Sequence, residues 1–189
     1  LVVLLPLLLN NSYSSQAKVS FIGIQGNTPS VGLTFNDRAE AVFNLHLAET
    51  RKADIDRADV IIWPENAIDI DPRNYPEVLA DIKTLVKEIE TALIAGVVLT
   101  ESGSPANASV MYNASGQVQS TYIKRYLTPF GEYMPLRKIA EFVSQYAKSV
   151  NDFKPGNAFV PHMISGKKVA PIICYEIIND GLVRESAKG

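Results

Sequence analysis

One cysteine in 189 residues means that no internal disulfide can form, so any fold must be held by its core. Histidine is nearly as scarce: His46 and His162 lie far apart without ligand spacing, and both read as structural rather than as part of a metal site. No block of basic residues occurs, and 18 Lys and Arg against 20 Asp and Glu leave a formal charge of -2. A surface able to neutralise phosphates is therefore missing, which excludes nucleic acid as a partner. Internal repeats and low-complexity tracts are absent as well. What remains is 47% apolar and 20% charged, an ordinary globular composition that suits a single core.

The ends read as cut. The apolar run Leu1 to Leu9, broken by Pro6, is shorter than the roughly 20 residues a bilayer requires. It lacks the basic flank and cleavage pattern of a signal peptide. The expectation is a membrane-helix stump and linker over 1–17, with a buried strand or a processing remnant as the other readings. The folded domain is expected over 18–189, with a downstream portion absent.

Along the chain, Val19 to Gln25 is strand-like and closes on a Gly26-Asn27 turn. A helix is predicted from about Asn36 to Lys52, with Ala39, Val42, Phe43, Leu47 and His46 on or beside its inner face. Asp59 to Trp63 is a short buried strand that Pro64 ends. Pro76 opens an amphipathic helix reaching about Thr91, and Leu93 to Leu99 is a third buried strand. Ser109 to Asn113 and Gln117 to Ile123 read as a hairpin, Leu136 to Lys148 as a shorter helix, and Val169 to Cys174 as a last buried strand. Strands alternating with helices and then pairing antiparallel predict an α/β or α+β sheet with helices packed outside it.

Three places put a reactive group at a strand end or loop, where sites assemble in such folds. Glu65 follows a strand too apolar to carry a carboxylate without a partner. Lys124 sits in Tyr122-Ile123-Lys124-Arg125-Tyr126, and Cys174 breaks an apolar stretch into Tyr175 and Glu176. Each alone has a structural reading: a solvated loop acid, a surface lysine, a small core hydrophobe. Together they supply acyl transfer through a thioester, with Cys174 as attacking thiol, Glu65 as proton carrier and Lys124 as oxyanion partner.

The local words resemble the nitrilase superfamily, and within it the apolipoprotein N-acyltransferase branch. They are Gln25-Gly26-Asn27, Trp63-Pro64-Glu65-Asn66-Ala67, Tyr122 to Leu127, Pro129-Phe130-Gly131-Glu132-Tyr133-Met134-Pro135 and Ile173-Cys174-Tyr175-Glu176. The resemblance runs from Val19 to Ser186 and implies an α-β-β-α sandwich lacking its C-terminal part. It implies Glu65 as general base, Lys124 as oxyanion stabiliser and Cys174 as nucleophile, supported by Glu132, Tyr175 and Glu176. Phe130, Tyr133 and Met134, with Pro135, would form a lid or lipid-facing arm, and packing over the sheet is their other reading. Phe35 stands nearest to an aromatic residue that the family carries on an early loop, often as tryptophan.

The reaction so implied takes an acyl chain from a phospholipid donor and passes it to the diacylglyceryl-cysteine of an apolipoprotein. It needs no metal or soluble cofactor, and it takes place at the extracytoplasmic face of the cell membrane. Two other readings stand beside it. A soluble amidase of the same superfamily would hydrolyse a small C–N bond with the same residues, and a silent binding module would keep only the fold.

Overall fold

The computed structural model describes residues 18–28, 35–137, 142 and 152–188, without the side chains of 35–39. The expected stump and linker over 1–17 and most of the helix expected over 136–148 lie outside the described residues, as do the side chains of Phe35 and Ala39.

Five strands form one sheet in sequential order: β1 (Phe21–Gly23), β2 (Val60–Ile62), β3 (Ala92–Glu101), β4 (Ser104–Tyr112) and β5 (Val118–Ile123). The first three are parallel, because helical crossovers join them; β3, β4 and β5 are antiparallel, because tight turns do. The crossovers are α1 (Phe35–Lys52) and α2 (Pro76–Glu88). Proline at the first turn of α2 forfeits no hydrogen bond. Val78, Ile82, Leu85 and Val86, at helical spacing, bury one face of that helix.

Period-two alternation divides the sheet into two surfaces. Leu93, Ala95, Val97 and Leu99 of β3, with Ala108, Val110 and Tyr112 of β4, meet Phe43 and Leu47 of α1 and the buried face of α2. Trp63 is anchored in this core, donating from Nε1 to Thr50 Oγ1 at 2.9 Å. The opposite surface carries Val60, Ile94 and Met111 against Ile164. Ile164 belongs to a second, two-stranded unit, β6 (His162–Ile164) paired with β7 (Lys167–Val169).

Two expectations are corrected. The strand expected from Ser109 begins at Ser104, because Ser102-Gly103, both at positive φ, make a two-residue turn that pairs Glu101 with Ser104. The strand expected to carry Cys174 pairs only as far as Val169. Residues 170–173 form no ladder, since Pro171 has no N–H and the Ile173 N–H donates to Glu176 Oε2 at 2.9 Å. Cys174 instead opens a 3-10 turn (Cys174–Ile178), followed by α3 (Asp180–Lys188).

Candidate active site

The sheet surface away from the helices carries the polar groups. After β2 the chain leaves the ladder at Pro64 and returns at Ile68, whose N–H donates to Gly96 O at 3.1 Å and whose carbonyl accepts from Val98 N at 2.9 Å. Glu65 rides the top of this excursion, and Asn66 turns it with φ of 57°.

Lys124 continues β5 by donating its N–H to Asn107 O at 2.8 Å, and its side chain is 1% exposed. Its ammonium has three hydrogens and three acceptor groups: Glu132 at 2.8 Å, Thr128 Oγ1 at 3.2 Å and Glu65 Oε1 at 3.3 Å. Glu132 is held in return by Thr128 N at 2.8 Å and by Asn107 Nδ2 at 2.8 Å. Asn107 Nδ2 also reaches Glu65 Oε1 at 2.7 Å. Burial works against charge on Lys124, but the bond and charge of Glu132, then those of Glu65, outweigh it and hold the lysine pKa above its ordinary value. Burial likewise opposes the Glu132 carboxylate, and the donors Asn107, Lys124 and Thr128 N–H overcome it, so that pKa lies below the usual carboxylate range.

Cys174 is exposed and adopts φ of 48°, a left-handed conformation uncommon for a residue with a side chain. Among the described residues its thiol has no hydrogen-bond partner. It shares with Glu65 the lining of a cavity of about 300 Å3, whose walls are mainly apolar and include Ile62, Ile94, Ala108 and Ile172. Lys124 and Glu132 lie beyond that lining. Of the sequence-predicted residues, Glu65, Lys124 and Glu132 form one bonded cluster, and Glu65 and Cys174 line one cavity.

Glu176 joins the two parts. Fully buried, it accepts from Tyr122 Oη at 2.7 Å, Arg125 N at 2.7 Å, Tyr126 N at 3.2 Å and Ile173 N at 2.9 Å. One carboxylate therefore ties the turn that bears Cys174 to the strand end that bears Lys124. Tyr175 stacks on Tyr126, ring centroids 5.7 Å apart and planes 2° from parallel.

The loop after Lys124 is closed by Phe130 N to Tyr133 O at 2.8 Å. Phe130 is 69% exposed, while Tyr133 and Met134 are half-buried; none of the three lines the cavity. Phe35 begins α1, and its side chain lies outside the described residues.

His162 does reach the cavity wall. Its Nε2 lies 2.8 Å from Ser109 Oγ and its Nδ1 2.7 Å from Ser120 Oγ. Burial pushes its pKa down to about 4. His46 is packed against Trp63 with Nδ1 2.8 Å from Val42 O. Among the described residues no group of three His, Cys, Asp or Glu is arranged to hold a metal ion.

Sequence reasoning missed Asn107, Thr128 and Gly96. The available signal was an amide in the apolar run Ala106 to Met111, which a buried strand tolerates only with a partner.

Comparison with known proteins agrees with this architecture. The family model for carbon-nitrogen hydrolases matches residues 24–189. An apolipoprotein N-acyltransferase of Mycolicibacterium smegmatis is 33% identical over 181 residues, covering 89% of this chain and 30% of that protein. One from Wigglesworthia glossinidia brevipalpis is 29% identical, covering 97% of this chain and 38% of its own length. The chain thus spans about a third of the curated relatives it matches. Among solved structures, a Nesterenkonia amidase of the nitrilase superfamily superposes with a TM-score of 0.62 at 15% identity, over 89% of this chain and 60% of that one. A carbon-nitrogen hydrolase from Helicobacter pylori gives 0.57 at 17% identity, over 88% and 55%. These likenesses show a nitrilase-like fold of mixed α/β class. With the family model matched from just after β1 to the end of the chain, the protein belongs to the carbon-nitrogen hydrolase family.

Proposed function

We propose that this chain is the catalytic part of an apolipoprotein N-acyltransferase, working through a thioester on Cys174. The observation that carries the proposal is the shared cavity, which both Cys174 and Glu65 line, with Lys124 bonded to Glu65. The relatives' names supply the acyl-transfer chemistry.

In the first half-reaction the Cys174 S–H proton passes to Glu65, and sulfur attacks the ester carbonyl of a phospholipid. Lys124 and the N–H following Cys174 hold the tetrahedral oxyanion. Collapse breaks the ester C–O bond, and the leaving alkoxide takes the proton from Glu65, which gives a lysophospholipid and an acyl-cysteine thioester. In the second half-reaction the α-amino group of a diacylglyceryl-cysteine attacks the thioester. Its proton goes to Glu65 and then to the departing thiolate, leaving an amide and free Cys174.

The three donors of Lys124 are all committed at rest. The bond to Glu65, at 3.3 Å, is the longest. Protonation of Glu65 removes that acceptor's charge, so proton uptake frees a lysine donor when the oxyanion forms.

The setting proposed for this reaction is the extracytoplasmic face of the cell membrane, with phospholipid as donor and a lipoprotein as acceptor. No helix of the described residues is long and apolar enough to cross a membrane. The second reading, a small-amide hydrolase, rests on the fold shared with the amidase structures.

Mass spectrometry of the full-length protein incubated with phospholipid separates the two. A single acyl adduct is expected, absent in Cys174→Ser and formed about a hundredfold more slowly in Glu65→Gln, the usual scale for a lost general base. An unaltered adduct on Cys174→Ser removes the thiol from the mechanism. Hydrolysis of small amides without any lipid adduct supports the amidase.

A further inference from the structure

We propose that Asn107 is a positioning residue that aims the Glu65 carboxylate at Cys174, with Gly96 providing the seat for the Glu65 backbone. The inference rests on the reading of Glu65 as the base that serves the thiol.

Asn107 is buried, and its one amide nitrogen divides two hydrogens between Glu65 Oε1 at 2.7 Å and Glu132 Oε1 at 2.8 Å. Two ionised carboxylates repel one another, and Lys124 supplies a single positive charge between them. A neutral group with two donors satisfies both acids without adding charge, and of the side chains only an amide offers two such hydrogens on one atom. Its other end is left unpaired: among the described residues Asn107 Oδ1 is buried without a partner. Turning the amide over would set that oxygen against both carboxylates, so the orientation is fixed. A buried acceptor without a partner is a stability cost that the donor end of the same group must offset.

Gly96 acts from the adjacent strand. It pairs with Ser109, and Val98 pairs with Asn107, so Gly96 and Asn107 are diagonal neighbours on one sheet surface. A Cβ at Gly96 would lie 2.3 Å from Pro64 O and 2.6 Å from Glu65 Cα. These are backbone atoms, which cannot swing aside as a side chain would. Only a bare glycine lets the 64–67 excursion lie flat on β3, and that closeness brings the Glu65 carboxylate within reach of Asn107.

The test measures Cys174 alkylation by iodoacetamide against pH, and acyl-adduct formation from phospholipid, in the full-length protein. Asn107→Leu keeps the branched shape and loses both donors. Adduct formation is expected to slow by roughly ten- to a hundredfold, the size of one lost hydrogen bond to a charged group. The KM for phospholipid stays unchanged, and Cys174 alkylation slows together with adduct formation, because the base is no longer held in place. Asn107→Asp can donate only when protonated, so its activity relative to wild type should rise as pH falls; this variant serves if the leucine variant does not fold. A wild-type rate of both reactions in Asn107→Leu, or a flat ratio in Asn107→Asp, overturns the proposal. Glu65→Gln runs alongside. If it leaves alkylation unaltered, the reading of Glu65 as base fails as well; if it alters alkylation while the Asn107 variants do not, the positioning role alone fails.

Discussion

Lys124 is the residue on which the charge balance of the site turns. Its ammonium sits between two carboxylates with 1% of its side chain exposed, so removing it leaves buried negative charge uncompensated. Lys124→Met is therefore expected to lower unfolding free energy by about 3–5 kcal/mol, the range for breaking a buried ion pair, as read from urea denaturation at neutral pH. The pH dependence follows from the two directions of shift. Glu132 is depressed in the folded state, so its contribution is present above the ordinary carboxylate range and is lost as pH falls through its folded pKa. Lys124 is raised, so its contribution is present below the ordinary lysine value and is lost as pH climbs through its folded pKa. The stability gap between wild type and Glu132→Gln should thus be widest near neutrality and shrink on the acid side below pH ~4. A gap that persists unchanged at pH 3 would show that the pair contributes nothing through charge.

At the scale of elements, turns decide which strand delivers which residue. The β3–β4 hairpin depends on Ser102-Gly103, where Gly103 has φ of 82° and open space where a Cβ would stand. Gly103→Ala should therefore cost only the backbone term, about 1–2 kcal/mol in the urea midpoint analysis, and leave adduct formation intact. Gly96→Ala meets backbone atoms instead and is expected to impair adduct formation beyond any loss of stability. Equal effects of the two on activity would argue against the seat under Glu65. The turn that bears Cys174 shows the same dependence on one contact, since Glu176 gathers four donors from two segments and ties that turn to the strand end at Lys124.

Across the whole molecule, helices α1 and α2 and one sheet surface form the principal core, and the site occupies the other surface. The single tryptophan, Trp63, is 2% exposed in that core and stands two residues before Glu65, so its fluorescence reports both folding and the surroundings of Glu65. Ile82→Ala, at a fully buried position of α2, should destabilise by about 2–5 kcal/mol. Tryptophan fluorescence and far-UV circular dichroism are expected to shift together in that variant; separated transitions would show that α2 unfolds apart from the sheet.

Much of this was legible along the chain. The apolar spacing in Val78 to Val86 and the short run ending at Trp63 marked α2 and β2, because local periodicity is written into consecutive residues. The words around Glu65, Lys124 and Cys174 marked the candidate site, since each breaks an apolar stretch with a group that burial penalises. Two boundaries turned on local bonds that apolar spacing does not display: 170–173 on Pro171 and the Ile173 N–H given to Glu176, and the start of β4 on the Ser102-Gly103 turn. Tertiary structure alone decided the site. The meeting of Asn107 with Glu65 and Glu132 joins residues 42 and 25 positions apart. Hydrogen bonds between distant segments leave no periodic trace in sequence, because their partners are chosen by how the sheet surfaces close.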